Sequence, residues 1–107
     1  MEQKRELYRI AVQRSGSIRR GEETAPCEVV DLTEKGVQLT TDLALSVGET
    51  LQLAFGLTDS VTLHCSVMVT RVMGKAVGSC ISDISPADQD RLSRFIDDVV
   101  ALNLGGC

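Results

Sequence analysis

Residues 61–81 read VTLHCSVMVTRVMGKAVGSCI, and this stretch decides the fold class. Apolar side chains alternate at Val61, Leu63, Cys65, Val67 and Val69. That period of two turns one face of a strand toward a core. The run is rich in β-branched residues, which suit a pleated, half-buried surface. Gly74-Lys75 is tight enough to reverse the chain, and Ala76–Ile81 returns as the second arm of a hairpin. The same grammar continues upstream. Leu51, Leu53 and Phe55 alternate between a Val47-Gly48 turn and a Thr58–Ser60 turn, and Val37, Leu39 and Thr41 alternate before them. Cys27–Leu32 is a short apolar run between polar turns at Gly21–Thr24 and Thr33–Gly36, and Ile10–Ile18 reads as a strand with a bulge at Gly16. About six strands result. Parallel crossovers need about a dozen residues, and these links are shorter, so the pairing is expected to be antiparallel.

One helix follows the strands. Ser85 is an N-cap, Pro86 takes the favoured first position, and Asp88 completes the Ser-x-x-acid form of a capping box. Leu92, Phe95, Ile96, Val99 and Val100 recur at helical spacing as one apolar face, and Gly105-Gly106 ends the helix. A single amphipathic helix after a run of strands is expected to close a barrel mouth or a sheet face.

The 107 residues are 43% apolar and 24% charged, ordinary for a globular protein, which excludes a disordered or collagen-like chain and fits one domain. Aromatics are confined to Tyr8, Phe55 and Phe95, so the core must be built from Val, Leu and Ile. No apolar run approaches the roughly 20 residues of a membrane span. The opening MEQKREL has no apolar signal region. A cytoplasmic location without membrane insertion is therefore expected.

The net charge of −4 conceals an asymmetry. Residues 1–20 carry six basic and two acidic side chains, whereas residues 21–107 carry five basic and thirteen acidic ones. An acidic body argues against a nucleic acid polymer, whose binding rests on neutralising many phosphates. A basic N-terminal arm on that body suits a small anionic partner, or is simply a solvated polar segment. Cys27, Cys65, Cys80 and Cys107 form no C-x-x-C pair. The first three lie in strand-like runs and read as small core residues in a reducing setting. His64 is the only histidine and has no ligand-spaced neighbours, so no metal site is expected. Neither a nucleophile motif nor a glycine-rich phosphate loop is present, and nothing points to an enzyme.

Two segments carry chemistry. In Lys4-Arg5-Glu6-Leu7-Tyr8-Arg9, two arginines stand four apart. Their Cα atoms lie up to roughly 13 Å apart if extended and about 6 Å apart on a helical turn, and either spacing lets two guanidinium groups grip one anion of nucleotide size. The planar fork of arginine pairs bidentately with phosphate and with the O6/N7 edge of guanine. In Asp31-Leu32-Thr33-Glu34-Lys35-Gly36 the backbone reads as a β-turn, with Gly36 at positive φ. Asp31 can also accept from a guanine N1–H and N2–H₂ edge, and Thr33 offers a hydroxyl to a phosphate or base.

Together these segments resemble the PilZ domain signature, R-x-x-x-R followed some twenty residues later by [DN]-x-S-x-x-G. Arg5 and Arg9 fill the arginine positions, Asp31 and Gly36 match the second motif, and Thr33 stands where the family prefers Ser. Gly78-Ser79-Cys80-Ile81 is similar to the family's closing G-x-x-F strand, with Ile81 in place of Phe. The resemblance implies a six-stranded antiparallel β-barrel of the split-barrel type with a C-terminal helix. It divides the chain into an arginine arm at 1–9, a barrel at 10–84 and a helix at 85–104. It further implies a bacterial receptor for cyclic di-GMP that needs no cofactor. In that scheme Arg5 and Arg9 clamp phosphate and guanine, Asp31, Thr33 and Gly36 hold the other face, and Lys4 adds a phosphate contact, with Arg14 as a further candidate. The charged arm, mobile without ligand, would fold over the nucleotide and change the surface offered to a downstream protein partner in motility or biofilm control. The alternative within the family is an interaction module of a type IV pilus or motility system that binds no nucleotide.

Overall fold

The structure is a computed structural model that describes residues 9–105. Alternating side chains build six strands: β1 (Ile10–Arg20), β2 (Glu23–Leu32), β3 (Gly36–Thr41), β4 (Thr50–Thr58), β5 (Val61–Met73) and β6 (Ala76–Asp83). One helix, α1 (Pro86–Gly105), follows. The strands close into an antiparallel barrel in the order β1-β2-β3-β6-β5-β4, with β4 returning to β1. Residues 42–49 cross from β3 to β4, and the other strand links are short turns.

Period-two alternation puts Leu51, Leu53, Phe55 and Leu57 of β4 and Leu63, Val67 and Val69 of β5 inside, none more than 2% exposed. Each buried side chain of this size contributes about 1.5–3 kcal/mol. Leu92 and Ile96 bring one face of α1 into the same core, where the helix packs on β5. The Ser85 cap forms as expected, its hydroxyl accepting from the Asp88 N–H at 3.1 Å. Asp88 itself acts differently from a capping-box acid. It turns to the barrel, accepting from the His64 backbone N–H at 3.4 Å and from Arg91 at 2.7 Å. Because the barrel edge sits against the helix start, the carboxylate latches α1 to β5 instead of bonding back to its own cap.

Three local expectations change. Gly16 is not a bulge: it pairs with Cys27 on one side and Phe55 on the other, where the barrel closes. A Cβ there would lie 2.5 Å from the Ala54 carbonyl oxygen and 2.7 Å from the Phe55 Cβ, so the glycine permits close strand approach. The β1 irregularity lies earlier, between Ala11 and Arg14. The second change is that β2 begins at Glu23, inside the stretch expected as a turn. The third concerns Cys80, which is exposed while Cys27 and Cys65 are buried. Val77 and Ser79 take the inward positions of β6, so alternation turns Cys80 outward. Burial pushes the Cys27 thiol up to about 11. It pushes Cys65 up to about 12, with the Asp88 carboxylate adding to the effect.

Candidate functional site

One cleft of about 410 Å³ opens on the outer face of β2, β3, β6 and β5, a size in the range of small-molecule sites. Arg9, Asp31, Thr33 and Gly36 line one side, and Gln38, Thr70, Arg71 and Gly78 line the floor and the far side. Strand register explains how. Asp31 pairs with Gln38, Gln38 with Gly78, and Gly78 with Arg71, one row across four strands. Strand spacing makes the row about 14 Å long. Gly78 lacks a side chain, which leaves a trough in its middle.

Both ends of that row are set by β-bulges. On β2, Val29 faces Leu39 and Asp31 faces Gln38, so Val30 is an extra residue. On β5, Val69 faces Ser79 and Arg71 faces Gly78, so Thr70 is an extra residue. Strict alternation from Val29 and from Val69 would turn Asp31 and Arg71 inward. The bulges keep both on the outer face while Leu32 and Val72 resume packing toward the core. Re-aiming a side chain in this way is a common use of bulges beside binding sites.

The turn beside Asp31 is organised by Thr33. Its hydroxyl accepts from the N–H groups of Gly36 at 2.9 Å and Lys35 at 3.1 Å, and donates to the Gly36 carbonyl at 3.3 Å. The Thr33 N–H also donates to that carbonyl at 3.0 Å. The hydroxyl thus shapes the turn, and it is engaged there on every side. Gly36 differs from expectation. Its φ is not positive; instead a Cβ at this position would lie 2.8 Å from the Ser79 carbonyl oxygen. The glycine lets β3 run close to β6, and the Ile81 N–H donates to the Lys35 carbonyl at 2.8 Å just beyond.

Arg9 reaches the cleft from the N-terminal side. Its Nη2 lies 3.5 Å from Oδ2 of Asp31, with the arginine side chain 60% exposed and the aspartate 25%. So loose a pair in solvent is worth no more than about 1 kcal/mol. A phosphate can therefore claim the guanidinium at little cost. Lys4 and Arg5 lie outside the described residues. Arg14 is placed elsewhere: its Nε–H donates to the Leu57 carbonyl at 3.1 Å and its guanidinium lies 5.7 Å from the Phe95 ring centroid, tying β1 to α1. Arg20 donates to Glu23 at 2.6 Å and to Glu49 at 2.9 Å, hydrogen bonds that raise its pKa. Much of the positive charge in residues 1–20 is therefore built into β1 and not into a separate arm.

Gln38, Thr70 and Arg71 were not singled out from sequence, and Gly78 was noted only as the first residue of the closing G-x-x-F-like strand. A signal for Arg71 exists: the apolar phase runs 61, 63, 65, 67, 69 and then resumes at Val72, a slip of one residue that marks a bulge. A second depression, of about 520 Å³, lies beyond the turn beside Lys35, Cys80 and Asp83. It contains none of the paired motif residues except the turn's own Glu34 and Lys35.

A family model described as the PilZ domain matches residues 3–98. No curated protein matches the chain. Among solved structures, the inhibitor of motility MotI/DgrA from Bacillus subtilis is similar at 21% identity and a TM-score of 0.76, over 92% of this chain and 52% of that one. The MrkH–c-di-GMP complex of K. pneumonia is similar at 15% identity and a TM-score of 0.78, over 99% of this chain and 57% of that one. The PilZ domain of YcgR from Escherichia coli, solved with c-di-GMP, is similar at 15% identity and a TM-score of 0.73, over 97% of this chain and 98% of that one. The chain thus spans little more than half the length of the first two. At these identities the structural likeness speaks for the barrel and helix, while the sequence match extends from the arginine segment well into α1. On those grounds, the chain belongs to the PilZ domain family.

Proposed function

We propose that this protein is a cyclic di-GMP receptor that passes the signal to a protein partner through a change at its N-terminal segment. One observation supports this above the others: the two halves of the sequence motif, twenty-two residues apart, meet where Arg9 pairs with Asp31 on one side of the cleft. Arg5 and Arg9 clamp phosphate and guanine, and Lys4 contributes a further positive charge. Asp31 accepts from the guanine N1–H and N2–H₂ edge. Thr33 and Gly36 hold the turn that presents Asp31. The residues at 1–9 close over the nucleotide, and the entropy of ordering them is offset by charge-assisted hydrogen bonds of roughly 1.5–3 kcal/mol each. Closure neutralises basic charge and covers the cleft, which alters the surface a partner reads.

Titration calorimetry with cyclic di-GMP and cyclic di-AMP tests this. The unaltered protein is expected to bind the guanine ligand with clear preference. Arg5→Ala or Arg9→Ala should weaken binding about tenfold or more, and Asp31→Ala should weaken it and erase the preference for guanine. Equal affinity in all three variants would refute the site. A thermal shift absent at saturating cyclic di-GMP would favour the interaction-module reading, since a ligand that binds only the folded state must stabilise it.

A further inference from the structure

We infer that Arg71 is a further phosphate-binding residue of the cleft, gripping the ligand from the wall opposite Arg9 and Asp31. The inference rests on the receptor reading above. Three observations carry it. First, the Thr70 bulge places Arg71 at the far end of the row Asp31–Gln38–Gly78–Arg71, facing outward over the same trough. Second, the side chain lies along that trough: a Cβ built on Gly78 would sit 3.6 Å from the Arg71 Cβ and 3.9 Å from its Nε. The Nε thus lies over the glycine floor of the cleft, while the side chain as a whole stays exposed and open to a ligand. Third, it is unengaged. Arg9, Arg14, Arg19, Arg20, Arg91 and Arg94 each make a side-chain hydrogen bond or ion pair. Arg71 makes neither with any described residue, in a protein whose body is rich in carboxylates.

A solvated arginine on an outer strand face would be ordinary by itself. The bulge and the glycine floor distinguish this one. The ligand chemistry follows from the two walls. With Asp31 taking a guanine edge and Arg9 approaching from the β1 side, a ligand bearing two phosphates presents the second one toward β5. A planar fork there can take two phosphate oxygens at once. Arg71 therefore contributes charge at the end of the cleft that the sequence motif does not reach.

The test is calorimetry and phosphorus NMR on the full chain with cyclic di-GMP, comparing the unaltered protein with Arg71→Gln and Arg71→Lys. Arg71→Gln should weaken binding about ten- to a hundredfold, with an unchanged melting temperature without ligand, because the side chain bonds nothing. Arg71→Lys should recover part of the loss, a point charge without the fork. In the complex, Arg71→Gln should shift a ligand phosphorus resonance while leaving the guanine imino proton at Asp31 in place. Affinity of Arg71→Gln within about twofold of the parent, or unmoved phosphorus resonances, would overturn the role of Arg71 and leave the receptor function standing. No binding by the unaltered protein would overturn both.

Discussion

Replacing Gly36 by Ala perturbs the cleft without touching a charge. The added Cβ would meet the Ser79 carbonyl oxygen at 2.8 Å, and that oxygen belongs to the backbone of β6 and cannot swing away. Strands β3 and β6 must part by a few tenths of an ångström where Gly36 pairs with Cys80. The strain falls on the Ile81 N–H to Lys35 carbonyl bond, now 2.8 Å, and on the turn that Thr33 organises. Overpacking of this kind costs about 1–3 kcal/mol. Against it stands a gain of about 0.4–1 kcal/mol, because alanine restricts the unfolded chain. The net expectation is a loss of about 1–2 kcal/mol, or a melting temperature lower by very roughly 4–15 °C in a domain of this size. Gly56→Ala is the matched control. Its nearest neighbour to a built Cβ is the Thr58 carbonyl oxygen at 3.9 Å, and its φ is not positive. That variant should be neutral or gain a few degrees. The assays are thermal and urea denaturation of both variants, followed by cyclic di-GMP titration of Gly36→Ala. A Gly36→Ala protein that melts with or above the parent, while Gly56→Ala does no better, would refute the close-approach explanation.

Three further outcomes are expected. Arg14→Leu should lower stability by about 1–2 kcal/mol, through loss of its bond to the Leu57 carbonyl and its stacking over Phe95, yet leave cyclic di-GMP affinity unchanged in calorimetry, because Arg14 is tied away from the cleft. Stability should fall as pH rises above the ordinary thiol value of 9.0 toward about 12, because Cys65 stays protonated when folded and ionises when unfolded. Cys65 contributes at most about 1.4 kcal/mol per pH unit to that slope, and urea denaturation of Cys65→Ala at successive pH values should show the slope reduced, with the part due to Cys27 remaining. Asp88→Ala should cost about 1–3 kcal/mol, since it frees the His64 N–H and Arg91; unchanged urea midpoints would show that the latch contributes nothing.

The barrel was legible because its strands obey a local rule. Alternation at Leu51, Leu53 and Phe55 and along Val61–Val69 needs only near neighbours to be read, and the structure buries those same residues except Val61, which is half-buried at the start of β5. The helix was equally plain from Ser85, Pro86 and the Leu92–Ile96 spacing. Local rules misplace what depends on a distant strand. Gly16 and Gly36 look like conformational glycines in isolation, and only the approach of β4 and β6 shows that space is what they supply. Cys80 looks like a core residue until the register of β6 turns it outward. Arg14 looks like a further phosphate contact or a solvated strand residue until Leu57 and Phe95 arrive beside it.

Sequence by itself determined the fold class, the family, and the pairing of a basic segment with an Asp-x-Thr-x-x-Gly turn, because periodicity and short motifs are properties of residues close along the chain. Tertiary structure decided which charges share a cleft. Asp31 and Arg71 are forty residues apart and become the two ends of one row only when β2, β3, β6 and β5 lie side by side with a bulge at each edge. Register between strands is a collective outcome of closing the barrel around its core, and a one-residue slip reverses which face a side chain meets.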